Sequence, residues 1–220
     1  MVKSKKINVG ISIGDPNGIG IEVMLKALSD RPSNDNCNFI IYSSYDLIVN
    51  QKKDLNIKTL PLKKIESFEQ ISSNSINIKE IFTESEFKFG ILDKQVSEKA
   101  IISFKEAVKD ASKKNIDVLI TSPINKNLSY SESFKYSGHT DYLRYYFNLD
   151  PIMLMVSKKL KVGLLTEHIA LKDVVQNITI KKTTKKLKLL CQVLKKDFGI
   201  MGPKIAVLSI NPHVGDNGVI

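Results

Sequence analysis

An α/β fold is predicted for this 220-residue chain by one pattern that recurs three times. Apolar runs at residues 7–13 (INVGISI), 118–120 (VLI) and 204–210 (KIAVLSI) each stand beside a stretch with helical spacing. Strands of a parallel sheet carry helices on both faces, so they read as short continuous apolar runs rather than as alternating ones.

The first run meets a glycine-rich turn, Gly14-Asp15-Pro16-Asn17-Gly18-Ile19-Gly20, and then a helical register over residues 22–28. Strand, turn and helix make a βα unit. The turn has neither GxGxxG spacing nor the lysine and hydroxyl of a phosphate-binding loop. Its glycines read either as a tight turn with close helix packing or as a phosphate cradle. Asp15, at the strand's carboxyl end, is a candidate site residue.

Residues 39–42 (FIIY) predict a second strand, residues 47–55 a short helix and residues 57–62 a third strand. Residues 63–89 are rich in Ser, Asn, Glu and Lys and read as irregular, with room for one edge hairpin. Over residues 97–115, Ala100, Phe104, Val108 and Ala111 recur on one face, in register with Val96 just ahead and opposite Glu98, Lys105, Lys109 and Lys113. That spacing predicts an amphipathic helix leading into the buried strand at 118–120. A short helix at 142–147, paired strands at 151–156 and 161–165, and a short helix at 171–177 follow. Residues 183–198 form a helix with Leu187, Leu190, Cys191, Leu194 and Phe198 inward and its lysines outward. The strand at 204–210 ends the series.

The chain carries a net charge of +10, which raises nucleic acid or a membrane surface as partners. All but two of its 33 basic residues are lysine, however, the exceptions being Arg31 and Arg144. Arginine is the fork that reads bases and phosphates, so lysine-rich solvated faces are the preferred reading, with no nucleic-acid partner. Cys37 and Cys191 have neither CxxC spacing nor a disulfide framework and read as small core residues. The apolar run near the N-terminus is broken by Gly10 and Gly14, and no other run could span a bilayer. A cytoplasmic protein without a membrane partner is expected.

The segment DVLITSPINKNLSYSESFKYSGHTD, residues 117–141, places Ser122, Asn125, Lys126, His139, Thr140 and Asp141 after a predicted strand. Ligand crevices in open α/β sheets lie at the carboxyl ends of strands. The chain's three histidines, His139, His168 and His213, all follow short β-like runs. A single histidine there reads first as a hydrogen-bonded structural group. Three together raise a metal site, with Glu167 and Asp216 beside two of them as supporting carboxylates. No HExxH or CxxC spacing accompanies them.

SIGDPNGIG, TSPINK, SGHTDYL, LLTEHIALKDV and SINPHVGD, in this order, closely resemble the 4-hydroxythreonine-4-phosphate dehydrogenase family of pyridoxal-phosphate biosynthesis. The resemblance covers nearly the whole chain. It implies a three-layer α/β/α architecture like that of isocitrate and isopropylmalate dehydrogenases, with two lobes and a cleft between them. It also implies a homodimer whose active site lies at the interface, NAD or NADP as cofactor, and a divalent metal such as zinc, magnesium or cobalt. His168 and His213 match metal-ligand positions, and His139 with Thr140 the pair that binds the phosphorylated amino-acid substrate. Asp15 and Lys126 lie in motif blocks as possible additional site residues. No catalytic residue is assigned. The family's third metal histidine lies in a later block that this sequence does not contain. The chain is therefore expected to be an N-terminal portion, with residues 1–130 as first lobe and 131–220 as the start of an incomplete second lobe. The alternatives are a non-catalytic metal- or phosphate-binding module, or a family member acting on a related four-carbon hydroxy-acid phosphate.

Overall fold

The computed structural model describes residues 6–29, 36–132 and 134–219, so Arg31 and the first five residues lie outside it. The chain divides into two compact units, Met1–Leu149 and Asp150–Ile220.

The first unit runs β1 (Ile7–Ser12), α1 (Gly20–Ser29), β2 (Cys37–Ser43), α2 (Tyr45–Asp54), β3 (Leu62–Ile65), a 3-10 turn at Phe68–Gln70, and β4 (Ile76–Glu80). It continues through α3 (Lys94–Ser112), β5 (Val118–Thr121), α4 (Lys126–Ser129) and α5 (His139–Phe147). The five strands form one parallel sheet in the order β3-β4-β2-β1-β5. The predicted α/β class therefore holds.

Alternation along the strands sorts the core into layers. Val9, Ile11, Phe39 and Ile41 pack with Ile21, Leu25, Leu47 and Ile48 from α1 and α2. Ile40 and Tyr42, with the opposite parity, pack with Ala107 of α3. Gly10 allows that second layer to close, since a Cβ there would lie 2.4 Å from Ile116 Cδ1. Asp93 caps α3 by accepting from Val96 N, and Ala100, Phe104 and Val108 are fully buried, as their spacing predicts.

Two elements between residues 57 and 89 differ from expectation. The third strand is Leu62–Ile65 rather than 57–62, and Ile76–Glu80 is an interior strand. Buried Asn77 explains the second difference. Its amide donates to Phe39 O and Ser72 O, so a polar residue is satisfied where the pattern asks for an apolar one. The strand at residues 118–120, expected to be buried, is an edge strand with Val118 and Ile120 each 46% exposed. Segment 131–149, grouped by sequence with the second lobe, packs onto α3 through Phe134 and Tyr142.

The second unit contains an antiparallel pair, β6 (Leu154–Val156) and β7 (Lys161–Gly163), as the neighbouring runs suggest. A 3-10 turn at Leu171–Asp173, α6 (Val174–Asn177), α7 (Ile180–Lys196) and a 3-10 stretch at Pro212–Gly218 follow. Residues 204–210 form no strand, correcting the prediction. A strand needs a ladder partner for its backbone, and the described residues provide none; Val207, Leu208 and Ile210 stand exposed. Phe198, expected to point inward, is exposed, whereas Lys186 is buried. No helix among the described residues is long and apolar enough to cross a membrane.

Candidate functional site

The sheet order changes direction at β1. The chain steps from β1 toward β2 on one side and later returns to place β5 on the other. Loops leaving two such strands diverge and leave a crevice at their carboxyl ends. The loops involved here are 13–20 and 122–126, and they are tied together at their roots. Asp15 N donates to Pro123 O at 3.0 Å, and Ser122 N to Ser12 O at 3.0 Å.

The glycines of the first loop serve this closure. Gly14 has φ +67°, and a Cβ there would lie 2.3 Å from Pro123 O. A Cβ on Gly20 would lie 2.7 Å from Ile13 O. Of the two readings of this turn, close packing is the one the structure supports. Asp15 is also engaged. Its carboxylate accepts from Asn17 N at 3.0 Å and from Ser97 Oγ of α3 at 2.9 Å, and so orders the loop. The Asn17 amide then clamps residues 88–91 through Lys88 N and Ile91 O.

Beyond β5, Asn125 caps α4 by accepting from Asn127 N and Leu128 N. Lys126 follows, exposed, with its side chain beside the start of α5: a Cβ on Gly138 would lie 3.8 Å from Lys126 Cε. His139 opens α5. Its ring meets Phe104 edge-to-face at 4.6 Å, and Phe104 in turn packs on Tyr142 and Phe134. The Nε2 atom of His139 is buried and has no hydrogen-bond partner among the described residues. Burial, and then the Lys126 ammonium, lower the His139 pKa, so the imidazole is held neutral. Thr140 is half-buried next to it, and Asp141 accepts from Arg144 Nη1 at 3.0 Å and from the Ser137 hydroxyl. The structure thus brings Lys126, His139 and Thr140 together. Ser97 and Phe104 support these loops, yet their sequence signal was only that of a helix core.

A neutral imidazole with a free buried nitrogen can donate or accept one hydrogen bond. The first turn of α5, where Gly138 makes no side-chain cap, adds backbone N–H groups and a positive helix terminus, and Lys126 adds a full charge. This corner suits a small molecule that bears both a hydroxyl and an anionic group.

His168 and His213 belong to the second unit, and both are exposed. His168 follows β7 by a short turn with φ 52°, and His213, with φ 50°, follows the unpaired segment at 204–210. Only the first of these two therefore leaves a strand, which corrects the sequence reading of three histidines at strand ends; His139 itself opens a helix. Two imidazoles are suitable donors for a zinc-like ion, but no group of three His, Cys, Asp or Glu among the described residues could hold one. Cys37 and Cys191 are both free and half-buried.

A family model described as pyridoxal phosphate biosynthetic protein PdxA matches residues 35–220. The chain is 38% identical over 219 residues to a 4-hydroxythreonine-4-phosphate dehydrogenase of Sulfurihydrogenibium sp. (strain YO3AOP1), covering 97% of this chain and 66% of that protein. It is 33% identical to the protein of the same name from Bacteroides thetaiotaomicron, covering 100% of this chain and 61% of that one. A crystal structure of a 4-hydroxythreonine-4-phosphate dehydrogenase from Burkholderia phymatum superposes with a TM-score of 0.82 at 27% identity, over 99% of this chain and 66% of that one. The chain spans 61–66% of the length of these relatives.

Proposed function

The chain belongs to the PdxA family of pyridoxal phosphate biosynthetic proteins, and from that premise we propose that it is the part of a nicotinamide-dependent dehydrogenase that binds 4-(phosphooxy)-L-threonine. The reaction oxidises the C3 hydroxyl to a ketone, and the resulting β-keto acid loses carbon dioxide to give 3-amino-2-oxopropyl phosphate. The observation that carries this reading is the buried Nε2 of His139, without a partner among the described residues, beside Lys126.

In this reading His139 gives its free nitrogen to a polar group of the substrate, and Thr140 adds a hydroxyl from the same turn. The Lys126 ammonium and the N-terminus of α5 favour the phosphorylated end. Asp15 contributes indirectly, by holding the neighbouring loop to Ser97. Fixing the reacting hydroxyl in this way can contribute several kcal/mol, roughly 7–11 at best, to lowering the barrier. His168 and His213 are the residues that would hold a divalent metal. When bound, such a metal polarises oxygen and a nicotinamide accepts the hydride. The protein acts as a cytoplasmic homodimer in this proposal, using NAD or NADP.

The test is nicotinamide reduction by the purified protein with 4-(phosphooxy)-L-threonine and zinc, magnesium or cobalt. Substrate-dependent reduction is expected, and His139→Ala should lower kcat/KM by about 10- to 100-fold, the worth of a hydrogen bond to a charged or reacting group. Equal rates for wild type and variant would sink the assignment of His139. Saturable substrate binding without reduction would favour a binding module, and faster turnover of another four-carbon hydroxy-acid phosphate would move the substrate assignment.

A further inference from the structure

The lysine face of α7 has one exception. Lys181, Lys182, Lys185 and Lys188 are exposed, but Lys186 is only 9% exposed. Its ammonium donates to Pro151 O at 3.1 Å and lies 3.8 Å from Glu167 Oε1. Both side chains are largely out of solvent, at 11% for Lys186 and 9% for Glu167. Burying a lysine is costly unless its charge is met, and here a carboxylate and a carbonyl meet it.

Glu167 immediately precedes His168, whose backbone is left-handed at φ 52°. That region is uncommon for a residue with a Cβ and persists where the surroundings over-determine it. The turn is exposed at His168 and has no regular structure over residues 164–170. Glu167, the residue just before it, supplies a buried anchor through its pairing with Lys186.

We propose that Lys186 is a positioning residue. From the middle of α7 it clamps Glu167 and the Pro151 carbonyl, and so fixes the turn that presents the His168 imidazole. Lys186 acts through Glu167 and touches no substrate. The consequence for a bound cation rests on the functional reading given above; the fixing of the turn does not.

Backbone 15N relaxation on the metal-free full chain separates the two. Lys186→Met and Glu167→Gln should each lower the order parameters of residues 166–170 from about 0.85 to about 0.6 or less, while those of central α7 are unchanged. The double variant should be no more mobile than either single one, because both remove the same pair. Lys186→Arg, which keeps the charge, should restore most of the order. If Lys186→Met loosens the whole unit, the isosteric Glu167→Gln decides the matter. Unchanged order parameters at 166–170 in Glu167→Gln overturn the proposal. Cobalt(II) binding to the same proteins then reads the link to the metal, with affinity expected to fall about 10- to 100-fold in both single variants. If wild type binds no cobalt while the relaxation pattern is as described, the positioning role stands and the metal assignment of His168 fails.

Discussion

His139 packs against the Phe104 ring and feels the charge of the Lys126 ammonium, and its pKa lies below the ordinary histidine value, first through burial and then through that charge. The sign of the resulting pH dependence follows directly. The unfolded chain binds the proton more readily than the folded one, so this group's contribution to stability is complete above about pH 6.5 and is lost as pH falls below that value. Urea midpoints between about pH 7 and 5 should therefore drop for the wild type and drop less for His139→Phe. Identical slopes would show that burial of this ring is not linked to protonation. His139 and Thr140 were legible in sequence because they sit in a motif block. Lys186 was not: a lysine among lysines carries no signal, and only the geometry of α7 against Glu167 sets it apart. Asp15 was legible as a strand-end carboxylate, but its bond to Ser97 Oγ comes from a helix 82 residues away.

At the scale of elements, α3 joins the sheet to the site. One side seats Phe104 under His139, and its later turns carry a polar network that reaches the strands. Asp110 accepts from Tyr42 OH at 3.0 Å and from Lys79 Nζ at 2.5 Å, while Asn115 Nδ2 donates to its other oxygen at 3.1 Å. Burial and the Asp110 carboxylate both push the Tyr42 pKa upward, so the phenol stays protonated as the donor. Asp110→Ala would strand the Tyr42 hydroxyl and the Lys79 ammonium. The cost for a broken buried pair is about 3–5 kcal/mol, and the lower end is expected because the Lys79 side chain is 23% exposed. Urea denaturation measures it; a loss under about 1 kcal/mol would mean the network is incidental. The helix itself was plain from its spacing. β4 was hidden because INIKE carries a buried, fully bonded asparagine, and β5 misled because an apolar run looks the same at an edge as in the middle of a sheet.

Across the whole molecule, the two units differ in how much core they own. Nearly all buried apolar side chains belong to Met1–Leu149, and among the described residues of Asp150–Ile220 only Leu194 is one of them. Leu171, Ile180 and Leu208 are each exposed by more than four-fifths. Local opening free energy follows buried contacts, so amides of β6, β7 and α7 should exchange well before those of β1 and β2. Exchange-mass spectrometry checks this, and equal protection would contradict it. Sequence alone carried the α/β class and the five motif blocks. It missed the lack of a paired strand at 204–210, because strand formation there depends on a partner the local pattern does not encode.

The most direct test of the proposed substrate corner is a titration of 4-(phosphooxy)-L-threonine followed at the histidine ring protons by NMR, each of the three signals assigned by its own His→Asn variant. A saturable shift of the His139 signal, weakened in Lys126→Met, is the result expected. A His139 signal that stays fixed up to millimolar ligand would contradict the placing of the substrate at this imidazole.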